Sequence, residues 1–113
     1  MQFNEYQENA MKFASELSKA TNDNLILQGV MGMNGEAGEA IELVKKHIFH
    51  GHELDKEHLA KELGDVLWYV ATCAKAIGYS LDDIAQMNID KLTARYGESF
   101  STEKSLHRKE GDI

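Results

Sequence analysis

A chain of 113 residues with 19 acidic and 12 basic side chains carries a formal net charge of −7. That balance argues against a general nucleic-acid binder, which presents a basic face, but leaves open a nucleotide substrate whose phosphates a metal ion bridges to acidic groups. The length fits one domain, the hydrophobic content of 42% supplies a core, and no apolar run approaches the ~20 residues of a membrane span. The single cysteine, Cys73, excludes an intrachain disulfide framework; with no basic-then-apolar leader at the start, the expectation is a reducing, cytoplasmic setting.

There is no proline to break a helix. The first predicted helix runs from Glu5 to Lys19, with Asn4 as N-cap, Gln7 three residues on, and Tyr6, Ala10, Phe13, Ala14 and Leu17 at an amphipathic period. Thr21–Asn24 reads as a turn. The second helix covers Leu25 to Phe49. Gly29, Gly32, Gly35 and Gly38 recur at every third position in its first half, and because glycine costs about 1 kcal/mol in a helix interior, this half is expected to be kinked or loop-like. Two readings of the glycines stay open: close packing against a neighbour, or room for a ligand to reach the backbone near Glu36 and Glu39. Further along, Ala37, Ile41, Val44 and Ile48 share one side. His47, His50 and His52 cluster where this helix ends at Gly51, and read as groups suited to a helix C-terminus rather than as metal ligands.

The third helix is expected from Lys56, capped by Asp55, to Ile77, stopped by Gly78. Leu59, Leu63, Val66, Leu67, Val70 and Ala74 make its apolar face wide enough to meet more than one neighbour, and Cys73 reads as core. The fourth starts at Ser80-Leu81-Asp82-Asp83, a capping box with Asp in place of Glu, and runs to Tyr96 before Gly97. The expected organisation is a helical domain over residues 1–97 and a polar tail over 98–113, either mobile or pinned across the bundle by Phe100.

Two acidic steps stand out: Glu36-Ala37-Gly38-Glu39 and Glu62-Leu63-Gly64-Asp65. Residues three apart on a helix lie on one face, one turn apart. If the two helices pack face to face, four carboxylates converge. Such a set cannot stay fully ionised in a partly buried site, since like charges and desolvation both oppose it. A divalent cation resolves the conflict, and oxygen-only ligands favour Mg, with Mn as an alternative, over Zn. On the fourth helix Asn88, Lys91 and Arg95 form one stripe flanked by Leu81, Ile84 and Leu92. This stripe is expected to face inward, where ammonium and guanidinium groups suit phosphate oxygens.

Glu36-x-x-Glu39, Glu62-x-x-Asp65 and Asn88-x-x-Lys91-x-x-x-Arg95-Tyr96, in this order, resemble the MazG-like family of all-α nucleoside triphosphate pyrophosphohydrolases over roughly Leu25 to Tyr96. The resemblance implies a bundle of about four helices completed by homodimerisation, in some members as a dimer of dimers. It implies that Glu36, Glu39, Glu62 and Asp65 bind Mg, that Asn88, Lys91 and Arg95 hold a triphosphate, and that cleavage falls between the α and β phosphates. Glu39 is the candidate for orienting or deprotonating the attacking water, with Glu36 beside it, and Trp68 and Tyr69 are candidates for the base pocket. The chain departs from the pattern at Gly35, where many members carry one more acid. Two other classes compete. A di-metal carboxylate oxidase uses Glu-x-x-His steps, of which this chain has none. A purely structural helical module explains the helices but not an inward basic stripe.

Overall fold

A computed structural model describes all 113 residues. The chain forms α1 (Phe3–Ala10), a 3-10 turn (Met11–Phe13), α2 (Glu16–Lys19), α3 (Asn22–Phe49), α4 (Lys56–Ala76), α5 (Leu81–Tyr96) and α6 (Thr102–Leu106), with no strand. The all-α class expected from the sequence is what the chain adopts.

The first predicted helix is in fact two. Ala14 and Ser15 are extended (ψ 137° and 159°), and the Ser15 hydroxyl accepts from the Ser18 backbone N–H at 3.1 Å, starting α2 afresh. A serine that can cap competes with helix continuation. The break leaves Ala10 and Ala14 buried but turns Phe13 and Leu17 out to solvent. Asn4 and Gln7 do not cap α1, whose N-cap Gln2 makes no side-chain bond. Both reach across to α5 instead. Asn4 Oδ1 accepts from the Asp82 N–H at 3.1 Å. Gln7, only 3% exposed, donates Nε2 to the carbonyls of Ala71 (3.1 Å) and Tyr79 (3.0 Å) and accepts from the Leu81 N–H (3.2 Å). One buried amide thus ties α1 to the end of α4 and the start of α5.

The second predicted helix is not loop-like at its glycines. α3 is 28 residues of unbroken helix, about 42 Å long at 1.5 Å per residue. Its first turn absorbs the predicted Thr21–Asn24 turn, because Thr21 caps the Asn24 N–H at 3.0 Å. α3 and α4 make the most extensive contact in the chain, and they run antiparallel: Gly29 lies against Cys73, Gly32 against Tyr69, and Glu36 opposite Glu62 and Asp65. The glycines explain how the helices come so close. A Cβ on Gly29 would stand 2.7 Å from Cys73 Cβ, and one on Gly32 would stand 2.2 Å from the Tyr69 ring. Gly35 and Gly38 have nothing within 4 Å of that position. The two readings of the glycine run therefore divide along the helix, with packing at the first pair and open space at the second.

α4 begins at Asp55, whose Oδ1 takes the His58 N–H at 3.0 Å, and its exit turn passes through Gly78 at φ 85°, a backbone few other residues adopt. α5 opens on the expected capping box: Ser80 Oγ accepts from the Asp83 N–H at 3.0 Å, and the Ser80 N–H donates to Asp83 Oδ2 at 3.3 Å. Gly97, at φ 74°, ends it. The tail folds back on α5 through α6. Phe100 packs on Tyr96, with ring centroids 5.2 Å apart, rather than reaching across the bundle.

The buried core is small. Ala10, Ala71 and Leu81 pack with Tyr6, Trp68 and Val70 where α1, α4 and α5 meet. Much of the expected apolar surface stays open, including Ile41 and Ile48 on α3 and Leu63 on α4. The radius of gyration is 17.0 Å, against about 13 Å for a globular chain of this size.

Candidate metal centre

The antiparallel register of α3 and α4 decides which acids meet. One carboxylate oxygen each from Glu36, Glu62 and Asp65 lies within 4.8 Å of the others. Glu62 is 7% exposed. Glu36 Oε2 and Glu62 Oε2 are buried with no hydrogen-bond donor in reach, the situation that costs most for a charged acceptor. His58, one turn back on α4, stands with Nε2 3.2 Å from Glu62 Oε1. The Glu36 carboxyl is pushed up to about 7, first because a protonated Glu36 can donate to Glu62, then by burial and by the charges of Glu39 and Asp65. The Glu62 carboxyl is correspondingly lowered, chiefly by accepting from Glu36. The pair thus behaves as two acids sharing one proton.

Glu39 stands just outside the three-acid set. It is exposed, yet close enough that its carboxylate bears on both Glu36 and Glu62. Tyr6 of α1 closes the other flank: burial, then the charge of Asp65, raises its phenol. A cluster of hard oxygen donors, two of them without partners, fits a divalent cation such as Mg or Mn by donor chemistry. No histidine enters the cluster; His47 is engaged by the His52 carbonyl, with 2.8 Å between Nδ1 and O.

The basic stripe has different company. Arg95 forms a two-pronged pair with Asp112, Nε to Oδ2 and Nη2 to Oδ1, both at 2.9 Å. Lys91 Nζ donates to the Ile113 carbonyl at 3.1 Å, and Asn88 is exposed. α5 packs on α1, α4 and α6 but makes no comparable contact with α3. Within one chain Lys91 and Arg95 meet the tail rather than the acids.

Of the two aromatic candidates, Trp68 donates its indole N–H to the Ala10 carbonyl at 3.0 Å and packs on the core. Tyr69 meets Trp68 edge-on at 5.0 Å and covers Gly32, its other side lining a groove of about 620 Å³. Leu27, Gln28, Met31 and Asn24 of α3 complete that groove with Leu17 and Ser18, and Gln28 Oε1 is buried there without a partner. Sequence reasoning missed Gln28, His58 and Asp112. The four-residue spacing of His58 and Glu62 was a usable signal; nothing local marks Asp112, which acts 17 residues from Arg95.

A small all-α chain with a carboxylate cluster on two antiparallel helices defines a class, and comparison gives its name. Residues 27–100 match the MazG nucleotide pyrophosphohydrolase domain, and the chain belongs to that family. It is also similar to the Gene 37 protein of Mycobacterium phage L5, at 39% identity over 69 residues, which is 58% of this chain. The match spans 60% of the length of that relative. No solved structure matches the chain.

Proposed function

We propose that this protein is a Mg-dependent nucleoside triphosphate pyrophosphohydrolase that cleaves between the α and β phosphates to release a nucleoside monophosphate and pyrophosphate, in the manner of a cytoplasmic nucleotide-pool enzyme. The observation that carries the reading is the pair of buried, donor-less oxygens of Glu36 and Glu62 beside Asp65, in a chain of the MazG family.

Glu36, Glu39, Glu62 and Asp65 are the residues that would hold the metal. Once bound, Mg neutralises the phosphate chain and lowers the pKa of a coordinated water. Binding requires Glu36 to give up the proton it keeps to about 7. Glu39, exposed at the rim, is placed to orient a water or take its proton. Asn88, Lys91 and Arg95 hold the triphosphate and stabilise charge on the departing pyrophosphate. The Tyr69 groove, with Gln28 at its wall, receives the base, and Trp68 supports it.

The working unit is a homo-oligomer, a dimer or a dimer of dimers. Leu27, Val30, Met31, Ile41, Ile48 and Phe49 along α3 are each more than half exposed, and exposed apolar residues gathered on one helix favour an interface. A second copy would also bring α5 stripes to acid clusters that their own chain does not reach. Incubating a panel of nucleoside triphosphates with Mg tests the chemistry: pyrophosphate and monophosphate are expected, and diphosphate with orthophosphate as primary products would refute it.

A further inference from the structure

Four of the twelve Lys and Arg residues of this acidic chain, Arg95, Lys104, Arg108 and Lys109, line one cavity of about 370 Å³ together with His107. The cavity lies between the last turns of α5 and the tail, and a single acid, Asp112, completes it. Like charges gathered in a recess repel; Arg95 and Lys104 tie the tail to α5, and Arg108 and Lys109 add further positive charge to the same recess. The recess is organised around an anion.

Asp112 shows where the anion sits. Its two oxygens take both prongs of Arg95 at 2.9 Å, and the two side chains are only 8% and 15% exposed. The Arg95 guanidinium holds the Asp112 carboxyl below the usual carboxylate range, so it is ionised at neutral pH. The carbonyl of the next residue, Ile113, occupies Lys91 Nζ. Lys104 Nζ is spent on the Tyr96 carbonyl at 3.0 Å, which fixes the tail against α5 and keeps a positive group at the rim. One carboxylate pairs with Arg95 and feels the charge of Arg108, while Lys104 and Lys109 also line the recess, so it remains under-neutralised. A phosphate presents the same paired oxygens to a guanidinium fork as a carboxylate does, with greater charge.

We propose that the recess between α5 and the tail is a binding site for a phosphate-class anion, in which Asp112 is an internal stand-in that the ligand displaces from Arg95. The anion site rests on the charge and geometry of the recess; its consequence for turnover rests on the hydrolase reading. Two sources share the chemistry, free pyrophosphate and the phosphate chain of a nucleotide.

Titration calorimetry on the full chain with chelator present, using pyrophosphate in one arm and a non-hydrolysable nucleoside triphosphate in the other, tests the proposal. Asp112→Asn keeps the shape of the side chain and is remote from the core. It is expected to tighten pyrophosphate binding about tenfold, the equivalent of about 1.4 kcal/mol, while Arg108→Gln weakens it in the same background and Arg95→Ala removes it. If the nucleotide arm tightens as well, the recess takes substrate, and KM for triphosphate falls in Asp112→Asn; if only the pyrophosphate arm moves, the recess is a site for free pyrophosphate. Equal pyrophosphate affinity in wild type and Asp112→Asn, or no binding by either, overturns the proposal. Turnover separates the two readings. If Arg95→Ala destroys hydrolysis while Asp112→Asn leaves pyrophosphate affinity unchanged, the hydrolase stands and the stand-in falls. If Asp112→Asn tightens binding and no variant hydrolyses any triphosphate, the anion site stands and the hydrolase falls.

Discussion

The two charged regions of this protein solve their electrostatics in opposite ways. Between α3 and α4, Glu36 and Glu62 bury oxygens that nothing in the chain serves, and the only relief is a retained proton. Between α5 and the tail, Arg95 is buried as deeply, yet Asp112 satisfies it twice over. An unserved buried acceptor is expensive and persists where a ligand from outside completes it. A self-served cation can wait. On the proposed reading the acid region needs a partner and the basic region exchanges one, and experiments that disturb either should produce different signatures.

The largest effect is expected at the acids. Glu39→Gln and Asp65→Asn each remove one negative charge at nearly constant shape. In the metal-free protein the loss eases like-charge repulsion, so melting should be unchanged or higher. With Mg present, a lost ligand lowers metal affinity, and turnover should fall by roughly a hundredfold or more. Paired melting curves, with chelator and with Mg, check this alongside activity. Wild-type turnover and an unchanged Mg-induced rise in both variants would mean that the four-carboxylate site does not exist.

Next comes the link between the regions. Gln7 is a buried polar side chain that hydrogen-bonds to both the end of α4 and the start of α5. Gln7→Leu leaves the Tyr79 carbonyl and the Leu81 N–H unserved and removes a bond to the Ala71 carbonyl, which costs about 3 kcal/mol or more. A fall in melting temperature of more than about 10 °C is expected for a domain of this size. A drop of a degree or two would show that Asn4 and the capping box hold α5 without Gln7.

How much of this was legible in the sequence follows from where each signal lives. The capping box at Ser80 and the glycine stops are local, and so were readable. The two Glu-x-x-acid steps were readable because helical spacing fixes a face and the antiparallel pairing then aligns the faces. The break at Ala14–Ser15 was not readable, because Tyr6, Ala10 and Leu17 keep a helical period across a serine that caps instead of continuing. The continuity of α3 was missed because glycine propensity was weighed without its packing: Gly29 and Gly32 let α4 approach, and that contact overrides the intrinsic cost. Gln7 and Asp112 act over 64 to 74 and 17 residues respectively, and no periodicity encodes such partners.

The shared proton supplies a pH test of the acid region. With chelator, the unfolded chain gives up the Glu36 proton near 4.5 and the folded chain near 7. Between those values the folded state binds more protons, so stability falls as pH rises across that window and levels above it. The lowered Glu62 carboxyl acts in the opposite sense, losing its contribution as pH falls toward and below the ordinary glutamate range. Metal-free protein is therefore expected to melt lower at about pH 7.5 than at about pH 5.5, and Glu36→Gln to flatten that slope. With Mg the dependence reverses, because the cation binds only the deprotonated set, and the Mg-induced rise should grow as pH passes 7. A slope unchanged in Glu36→Gln would place the proton elsewhere.

The smallest effect comes from the open glycines, and it asks what the space beside the acids is for. A Cβ at Gly32 would collide with the Tyr69 ring, so Gly32→Ala should destabilise by about 1–3 kcal/mol, as overpacked sites do. Gly35, one residue before Glu36 and standing where many family members carry an acid, has nothing within 4 Å. There alanine removes the entropic cost of glycine in a helix and should stabilise by up to about 1 kcal/mol. If the space serves only the fold, Gly35→Ala raises the melting temperature by a few degrees and leaves turnover alone. If it admits substrate toward Glu36 and Glu39, the same variant melts higher yet turns over more slowly, and the loss appears in KM because the metal ligands are untouched. The second outcome is expected, since Gly35 and Gly38 flank Glu36 and neither has a neighbour within 4 Å of where a Cβ would stand. A Gly35→Ala protein that melts lower than wild type would show instead that another copy of the chain packs against that position.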